Sequence, residues 1–379
     1  MRVLVASLSN LGYFAEYLAR RGHEAALYQP RRVDLGDFRQ EPIEAGSSRL
    51  VLAPVWPRRP YPYSRFLSAF VPLLRDFRPD VVYLVGEPSE LAVAQLARLT
   101  RRYSPQTRLV GFSFENVDRQ WHGFPRSLRA RAERETLSRL DLIVAATNTA
   151  REHLIRRGFP AERLRVVHLG LDPDFYAGRD GLPVRAQLGL MSDDFLIGFV
   201  GRLVPEKGAD VLLQALAQLP ASHRLLLIGS GRAEAELRGL ATDLGVEERV
   251  HWAGRLSREE VANHLAACQA LVLPSRSIPQ WQEQFGLVLA EAMLSGVPVV
   301  GSSSGAIPEV IGEAGLVFPE GEAPALAECL RRLQTDPALG EELRRKGKER
   351  ARHHFSEESF LGGIAAAIEE ATTLPPRPV

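Results

Sequence analysis

Short apolar runs rich in β-branched residues alternate along the chain with longer stretches of helical periodicity. In the first part of the chain, six runs are predicted as strands, at residues 3–6, 25–28, 81–85, 109–113, 142–146 and 164–168. After a turn-prone segment at 170–174 the pattern starts again, with runs at 195–200, 225–228, 250–253, 270–273, 297–300 and 316–318. Strands that alternate with helices indicate βαβ units and parallel sheets. The pattern therefore predicts an α/β protein with two doubly wound parallel sheets.

The length of 379 residues also favours two domains, because a single core stops growing at about 250–300 residues. We place an N-terminal Rossmann-like domain at 1–170 and a C-terminal one at 171–355. Residues 356–379 are predicted as a helix that crosses back toward the first domain, followed by a tail. Open parallel sheets bind ligands beyond the carboxyl ends of their strands, and two facing domains would form a cleft. We therefore expect functional residues directly after strands.

Composition indicates a globular protein, with 45% hydrophobic and 25% charged residues and only short apolar runs. No segment is long and apolar enough to span a bilayer, so a cytoplasmic location is expected. Cys268 and Cys329 lack metal-ligand spacing and are predicted to be buried. The nine histidines show no H-x-H or HExxH pattern, and Asp172-Pro173-Asp174 is predicted as a turn rather than a metal site.

The net charge of +1 hides an uneven distribution of charge. Residues 1–175 carry 27 Arg, no Lys and 19 acidic residues, a balance of +8, and the remainder carries −7. The basic part could attract a membrane, a polyanion or a phosphorylated substrate, or it could consist of scattered solvated arginines. A nucleic-acid partner is not expected. Helical residues Arg126, Arg129, Arg131 and Arg134 predict at most a weak contact with the inner membrane face, because Glu133 and Glu135 dilute their charge.

The first candidate site follows the strand at 195–200 and reads Gly201-Arg202-Leu203-Val204-Pro205-Glu206-Lys207-Gly208. The chain has 44 arginines and three lysines, and the other two lysines lie in a charged C-terminal helix. Lys207 is therefore an exception in a chain that otherwise uses arginine, and it lies at a predicted loop-to-helix junction. A compact ammonium on a flexible stem suits a phosphate, and Arg202 adds a planar guanidinium. These residues predict diphosphate binding.

A second candidate is Gly229-Ser230-Gly231, which lies between a predicted strand and a predicted helix. It resembles part of a dinucleotide fingerprint, but Glu234 stands where the third glycine would be. Such a partial match is weak evidence that the chain binds a nicotinamide dinucleotide. Close approach of the backbone to a ligand and a simple tight turn remain open as explanations.

The third candidate places two carboxylates, Glu283 and Glu291, around the start of a helix. A helix that covered both residues would turn them about 80° apart. If the helix instead begins near Gly286, Glu283 lies on the preceding loop and Glu291 on the second turn, so both could face one ligand. Free amides at such a helix start favour an anion such as phosphate.

Together, Gly201-Arg202, Lys207-Gly208, Pro274-Ser275, Glu283 to Glu291 and the run 296–300 resemble the retaining glycosyltransferases of family 4. The resemblance is strong over about residues 165–355 and diffuse over the first domain. It implies a GT-B fold, a nucleotide-diphospho-sugar donor held by the second domain, an acceptor held by the first, and no required metal or other cofactor. It leaves open whether the nucleotide is UDP, GDP or ADP, and which acceptor receives the hexose.

Carried over to this chain, the resemblance implies that Arg202 and Lys207 neutralise the donor's diphosphate in place of a metal ion. It implies that Glu291 binds the ribose hydroxyls and that Glu283 holds the transferred sugar. The remaining residues expected near the donor are Gly201, Gly229, Gly231, Arg255 and Leu256, with the backbone of Phe285, Gly286 and Leu287.

The first domain departs from the family pattern in two places. After the first strand the chain has a single glycine, Gly12, where many members carry a pair. After the strand at 109–113 it has Glu115 and Asn116 where many members place a histidine. Glu115 could contact the sugar or acceptor as a base, or it could cap the following turn. The predicted catalytic residues are thus Arg202, Lys207, Glu283 and Glu115, and the predicted acceptor side is formed by Asn10, Gly12, Glu115 and Asn116.

The leading hypothesis is a metal-independent retaining hexosyltransferase that acts on a glycan, a lipid or a small metabolite. A nucleotide-sugar epimerase is an alternative, because that chemistry also uses Rossmann-like domains. A non-catalytic nucleotide-binding or glycan-binding protein is a further alternative. The presence of Arg202, Lys207, Glu283 and Glu291 argues against it, whereas the altered first domain leaves it open.

Overall fold

The computed structural model describes residues 1–7, 12–31, 33–34, 39–40, 49–56, 65–66, 69–118 and 125–375. They form two compact units. Unit 1 comprises the described residues of Met1–Val167 and Leu361–Val379, and unit 2 comprises His168–Phe360. Each unit is built around its own parallel sheet.

Among its described residues before His168, unit 1 has five α-helices and eleven strands. The helices are α1 (Gly12–Arg20), α2 (Phe70–Phe77), α3 (Leu91–Tyr103), α4 (Arg126–Arg139) and α5 (Asn148–Arg156). The strands are β1 (Arg2–Ser7), β2 (Glu24–Pro30), β3 (Val33–Asp34), β4 (Arg39–Gln40), β5 (Arg49–Ala53), β6 (Val55–Trp56), β7 (Arg65–Phe66), β8 (Val81–Val85), β9 (Arg108–Ser113), β10 (Leu142–Ala145) and β11 (Leu164–Val166). The four two-residue strands form two small antiparallel pairs, β3 with β4 and β6 with β7.

The other seven strands of unit 1 form one parallel sheet in the order β11-β10-β9-β8-β1-β2-β5. The direction in which the strands are added reverses between β1 and β8, where Ser7 is in register with Val85. Doubly wound sheets bind their ligands at the carboxyl end of such a reversal. In unit 1, this end of the reversal is followed by the loop that begins at Gly86.

Unit 2 repeats this architecture with six strands. They are β12 (Phe195–Val200), β13 (His223–Ile228), β14 (Val250–Gly254), β15 (Ala270–Leu273), β16 (Val299–Ser302) and β17 (Gly315–Phe318). Its helices are α6 (Pro173–Tyr176), α7 (Leu182–Gln187), α8 (Ala209–Leu216), α9 (Glu234–Asp243), α10 (Arg258–Ala266), α11 (Leu287–Leu294), α12 (Ile307–Ile311), α13 (Ala323–Thr335) and α14 (Pro337–His354). The last helix, α15 (Glu357–Thr373), begins in unit 2, but most of its residues belong to unit 1. The strand order β14-β13-β12-β15-β16-β17 is that of a Rossmann sheet, with its reversal between β12 and β15.

Alternate residues of these buried strands point to opposite faces of the sheet, so both faces need an apolar cover. In unit 2, Ile197 belongs to the apolar cluster on one face, with α8 and α13, whereas its neighbour Leu196 belongs to the cluster on the other, with α11 and α12. This requirement explains why the strands are nearly continuous apolar runs.

All twelve strands predicted from the sequence are present, but the sequence pattern missed the four two-residue strands and also β5. This strand lies at the edge of the first sheet, and Leu50, Val51 and Leu52 are only partly buried. Its run Leu50 to Ala53 is as apolar and as long as the runs at 3–6 and 25–28, so the pattern alone could have indicated it.

The last helix, α15, is bonded to the rest of unit 1 near its end. Glu369 Oε1 lies 3.0 Å from His23 Nε2, and Arg165 donates to the carboxylate of Glu370 through Nε at 2.8 Å. Both cysteines are buried and unpaired with each other. Among the helices that the structure describes, none is both long enough and apolar enough to cross a membrane.

Candidate functional site

The loops after β12 and β15 approach each other closely at the reversal of the second sheet. After Val200 the chain runs through a short turn, Pro205–Lys207, and Gly208 then begins α8 with φ of 68°. A Cβ atom on Gly208 would lie 1.9 Å from the carbonyl oxygen of Pro274. Only glycine fits both the left-handed backbone and this spacing. The glycine therefore brings Lys207 beside the loop that follows β15.

Lys207 and Glu283 form an ion pair at this edge of the sheet. Lys207 Nζ lies 2.6 Å from Glu283 Oε2, and Ser275 Oγ donates to the same oxygen at 2.8 Å. Both charged side chains are largely buried, with 16% of Lys207 and 8% of Glu283 exposed. The ammonium also lies 4.9 Å from the ring centre of Trp281, a distance at which an aromatic face attracts a cation. The geometry fixes a cation and a carboxylate side by side.

The backbone of Glu283 is held in place by the loop after β16. Ala306 donates its N–H to the carbonyl oxygen of Glu283 at 3.0 Å. A Cβ on Gly305 would lie 2.1 Å from that oxygen. Glu283 is therefore fixed at both its backbone and its carboxylate, which suits a residue that has to hold a ligand in one orientation.

Helix α11 begins as the sequence predicts. Gly286, with φ of 79°, stands before the first helical residue, Leu287. Glu283 thus lies on the preceding loop and Glu291 on the second turn. The first amides of α11 have no partner within the helix and favour an anion. The side chain of Phe285 is buried against Phe355, with ring centres 5.4 Å apart, so Phe285 can offer a ligand only its backbone.

Glu291 is partly buried, and its carboxylate is bonded to a tyrosine from the start of unit 2. Tyr176 Oη donates to Glu291 Oε1 at 3.0 Å, and Arg258 Nε donates to Tyr176 Oη at 3.3 Å. Burial raises the pKa of Glu291, while the bond from Tyr176 and the charge of Arg258 oppose that rise. The sequence had singled out Glu291 but neither of these two partners.

The glycines of the second candidate motif, Gly229 and Gly231, allow its backbone to lie directly against the neighbouring loop. A Cβ on Gly229 would lie 1.8 Å from the carbonyl oxygen of Gly201, and one on Gly231 would lie 2.2 Å from that of Leu203. Leu203 also donates its N–H to the carbonyl of Ser230 at 3.0 Å. The close backbone approach that the sequence allowed is thus observed between the loops after β12 and β13.

Replacing Gly229 by alanine is expected to lower the free energy of unfolding by about 1–3 kcal/mol, because a left-handed backbone and a clash would both have to be accommodated. Thermal unfolding of the purified variant would measure the loss. Gly239→Ala in α9 is the matched control, since its Cβ would meet open space. Equal melting temperatures for the two variants would contradict the structural explanation of Gly229.

The other predicted donor residues lie along the same edge of the second sheet. Arg202 is exposed on the loop after β12, and Arg255 is exposed directly after β14, with Leu256 partly buried beside it. Gly229 donates its N–H to the carbonyl of Gly254 at 2.7 Å, which joins the loops after β13 and β14. The loops at this edge thus carry the residues that the sequence predicts for the donor, and among their side chains Lys207 and Glu283 form an ion pair.

In unit 1, a buried polar cluster lies at the corresponding edge of the sheet. Glu87 follows β8, accepts a hydrogen bond from Ser113 Oγ at 2.7 Å and accepts another from the N–H of Phe114 at 2.9 Å. Glu115, predicted as a catalytic residue, follows in this loop, and its N–H donates to Ser113 Oγ at 3.3 Å. Asn116 is buried beside it. Glu87 thus fixes the loop that carries the predicted acceptor residues.

Several ionisable groups surround Glu87. A small cavity of about 10 Å³ is lined by Glu87, Ser113, Glu115, Glu133, His153 and Arg157, among others. Burial raises the pKa of Glu87 to about 8, and the nearby carboxylates of Glu115 and Glu90 add to the rise. Burial also raises the pKa of Glu133 and lowers that of His153. Strongly shifted groups at a ligand-binding edge are typical of functional sites.

Two further predictions concern the acceptor residues near the start of the chain and the basic helix α4. Asn10 lies outside the described residues, and Gly12 is the first residue of α1. Arg129 of the basic helix is buried and donates to Ser89 Oγ at 2.7 Å. It therefore contributes nothing to a charged outer face of α4, whereas Arg126, Arg131 and Arg134 are exposed.

Comparison with known proteins now identifies the family. The profile described as Glycosyltransferase Family 4 matches residues 11–175, and the profile described as Glycosyl transferases group 1 matches residues 183–354. The chain belongs to the family 4 glycosyltransferases. The family membership predicted from the motifs is therefore confirmed.

Individual relatives agree with this assignment. The D-inositol 3-phosphate glycosyltransferase of Streptomyces avermitilis is 34% identical over 242 residues, which are 59% of this chain and 50% of that protein. A second one, from Mycobacteroides abscessus, is 34% identical over 229 residues, 58% of this chain and 48% of that protein. The matched part thus spans about half the length of these curated relatives.

Solved structures confirm the fold. HepE from Anabaena in complex with UDP superposes with a TM-score of 0.76 at 20% identity and covers 98% of this chain and 100% of that one. At such identity the likeness establishes only the fold, which is GT-B with two Rossmann-like units. The predicted fold class is therefore confirmed.

The site residues that the sequence did not single out include Glu87, Tyr176, Arg258 and Trp281. Glu87 could have been found, because it follows a predicted strand at the sheet reversal, where functional residues were expected. Tyr176 and Trp281 carried no comparable signal, since one follows a turn and the other lies in a loop of irregular sequence. Within the described residues, no group of three or more His, Cys, Asp or Glu side chains is arranged to hold a metal ion.

Proposed function

We propose that this family 4 protein is a retaining glycosyltransferase that moves a hexose from a UDP-sugar to a hydroxyl acceptor without a metal ion. The observation that carries the proposal is the buried Lys207–Glu283 pair at the reversal of the second sheet, next to the start of α11. A cation, a carboxylate and a helix N-terminus suit a sugar linked to a diphosphate.

The choice of UDP rests on proteins that share the fold. HepE from Anabaena has been crystallised in complexes with UDP and with UDP-glucose. In this chain the ribose would be bound by Glu291 and the diphosphate by Lys207 and Arg202. The hexose would be bound by Glu283 together with the first amides of α11. Each group would lie at the carboxyl edge of one sheet.

Lys207 is well suited to stabilise the leaving diphosphate. Its ammonium has three N–H donors, and the ion pair uses one of them on Glu283, so two donors can meet phosphate oxygens. Charge grows on the β-phosphate as the glycosidic bond breaks. A cation fixed in advance stabilises that charge without reorganisation. This is the task that a divalent metal performs in other phosphate chemistry.

Retention would follow if the acceptor oxygen attacks the anomeric carbon from the face that the diphosphate leaves. The new C–O bond forms as the old one breaks, and the acceptor's proton passes to the departing diphosphate. No covalent bond to Glu283 is then needed. Positioning and electrostatics would supply most of the rate.

The acceptor would meet Glu115 and Asn116 at the edge of the first sheet. A phosphorylated polyol is the first class to test, because the related proteins are named D-inositol 3-phosphate glycosyltransferases. The excess of 8 positive charges in residues 1–175 supports an anionic acceptor. We further propose a cytoplasmic location, with any membrane contact of α4 limited to Arg126, Arg131 and Arg134.

A thermal-shift panel of UDP, GDP and ADP with their glucose conjugates tests the donor. We expect UDP and UDP-glucose to raise the melting temperature selectively, since tight binding stabilises the folded state. EDTA should leave these shifts unchanged. Equal shifts with all three nucleotides would contradict the choice of UDP.

The reaction itself requires a product assay. UDP-glucose would be incubated with and without inositol 3-phosphate, and the products would be analysed by NMR. A new α-linked glucoside supports a retaining transferase, whereas a β-linkage contradicts retention. A new nucleotide sugar formed without acceptor would indicate an epimerase. Binding with no turnover on a broad acceptor panel would indicate a non-catalytic binding protein.

A further inference from the structure

Tyr176 combines a buried ring with a hydroxyl at the candidate donor site. It ends α6, whose start is fixed by Asp172, a side chain that accepts a hydrogen bond from the N–H of Asp174 at 3.0 Å. Only 1% of Tyr176 is exposed, and its ring belongs to the apolar core of unit 2. A phenylalanine would fill the same space. The hydroxyl is therefore the feature that needs an explanation.

The hydroxyl lies between a cation and a carboxylate, and this order fixes the direction of its proton. Arg258 Nε donates to Tyr176 Oη at 3.3 Å, and Tyr176 Oη lies 3.0 Å from Glu291 Oε1. A guanidinium can only donate, and an ionised carboxylate can only accept. The proton of Tyr176 must therefore point to Glu291. Burial raises the pKa of Tyr176 to about 12, so the hydroxyl keeps that proton at neutral pH.

Arg258 is itself held in place. Its guanidinium carbon lies 4.2 Å from the ring centre of Phe175 and 5.5 Å from that of Tyr176. Such contacts between a guanidinium and an aromatic face are attractive. Arg258, Tyr176 and Glu291 therefore form a chain of three groups that leaves little freedom for the carboxylate.

We propose that Tyr176 is a positioning residue that holds Glu291 in the orientation needed to bind the ribose of the donor. The inference rests on the proposed function, in which Glu291 accepts the ribose hydroxyls. Tyr176 occupies Oε1 and thereby directs Oε2 to the ligand. It also offsets part of the cost of keeping a carboxylate ionised where burial raises its pKa.

The test compares two nucleotides that differ only in the hydroxyls that Glu291 would bind. UDP and 2′,3′-dideoxyuridine diphosphate would be titrated calorimetrically into the wild type, Tyr176→Phe, Glu291→Ala and the surface control Tyr103→Phe. We expect Tyr176→Phe to weaken UDP binding roughly tenfold and to leave dideoxy binding unchanged. Glu291→Ala should remove the preference for UDP altogether, and Tyr103→Phe should match the wild type.

Each result bears on a definite claim. Equal weakening of both nucleotides by Tyr176→Phe, or no weakening of UDP, would overturn the positioning role. An undiminished preference for UDP in Glu291→Ala would overturn the ribose assignment and the inference with it. A wild type that binds neither UDP nor the other nucleoside diphosphates would instead refute the proposed function. Because phenylalanine retains the ring, the melting temperature of Tyr176→Phe should show that the core is intact.

Discussion

Replacing Lys207 by alanine is expected to reduce turnover of the nucleotide sugar about 10²–10³-fold, the usual loss when one group that stabilises developing charge is removed. The charge that grows on the leaving diphosphate would then rely on Arg202 and the amides of α11. Arg202 is exposed to solvent, where water screens its charge. The measurement is the rate of UDP-glucose consumption at saturating donor, with and without acceptor.

A double variant separates loss of the cation from damage to its partner. Removing one member of a buried ion pair can destabilise a protein by several kcal/mol, because the other charge stays buried. The double variant Lys207→Ala with Glu283→Gln removes both charges, so its melting temperature should exceed that of Lys207→Ala. Its turnover should stay low. Recovery of turnover in the double variant would show that Lys207 acts only by neutralising Glu283.

A matched control comes from the small number of lysines. Lys346 lies on α14 and pairs with Glu342 four residues earlier, at 2.8 Å. Lys346→Ala removes the same side chain at the surface and should leave turnover unchanged. A comparable fall in both lysine variants would mean that overall charge, rather than the position of Lys207, controls the rate.

The sequence predicted the strands of unit 2 and the start of α11 well, for physical reasons. Buried parallel strands must be apolar on both faces, so β12 to β17 stand out as runs, and glycines mark the loops between them. Lys207 follows such a strand in a chain that otherwise uses arginine, and this position marked it as a candidate site residue. The start of α11 at Gly286 followed from the same reasoning and places Glu283 and Glu291 as expected.

Contacts that depend on tertiary packing could not be predicted. Nothing in the sequence near Tyr176 indicates Glu291, 115 residues away. The direct pairing of Lys207 with Glu283 was also missed, because each residue was assigned to a different part of the donor. Similarly, Gly229 and Gly231 showed that a close approach was needed, but only the structure identifies the neighbouring loop as its partner.

Glu87 is the group expected to make stability depend most strongly on pH. Burial raises its pKa from the ordinary 4.5 to about 8 in the folded protein. Between these two values the folded chain keeps a proton that the unfolded chain has lost. Stability is therefore expected to fall as the pH rises through this window, by up to about 1.4 kcal/mol per pH unit. Below pH 4.5 the contribution of Glu87 is fully present.

Glu87→Gln should remove this dependence, because an amide resembles the protonated acid and can still accept a hydrogen bond from Ser113 or Phe114. The variant is expected to match the wild type near pH 5 and to exceed its stability near pH 8.5. Urea unfolding at several pH values would measure the difference, with the exposed residue Glu16 changed to glutamine as the control. Parallel curves for the wild type and Glu87→Gln would contradict a protonated Glu87.

Glu87→Ala separates the charge of this residue from its structural role. Without an acceptor, the buried hydroxyl proton of Ser113 and the part-buried N–H of Phe114 would each lose a hydrogen bond, at a cost of up to about 1–3 kcal/mol each. This loss should appear at every pH, whereas the effect of glutamine should appear only at high pH. Because the two hydrogen bonds fix the loop of Glu115 and Asn116, Glu87→Ala should also raise the KM for the acceptor. If alanine and glutamine gave the same stability at pH 5, these hydrogen bonds would not hold the loop.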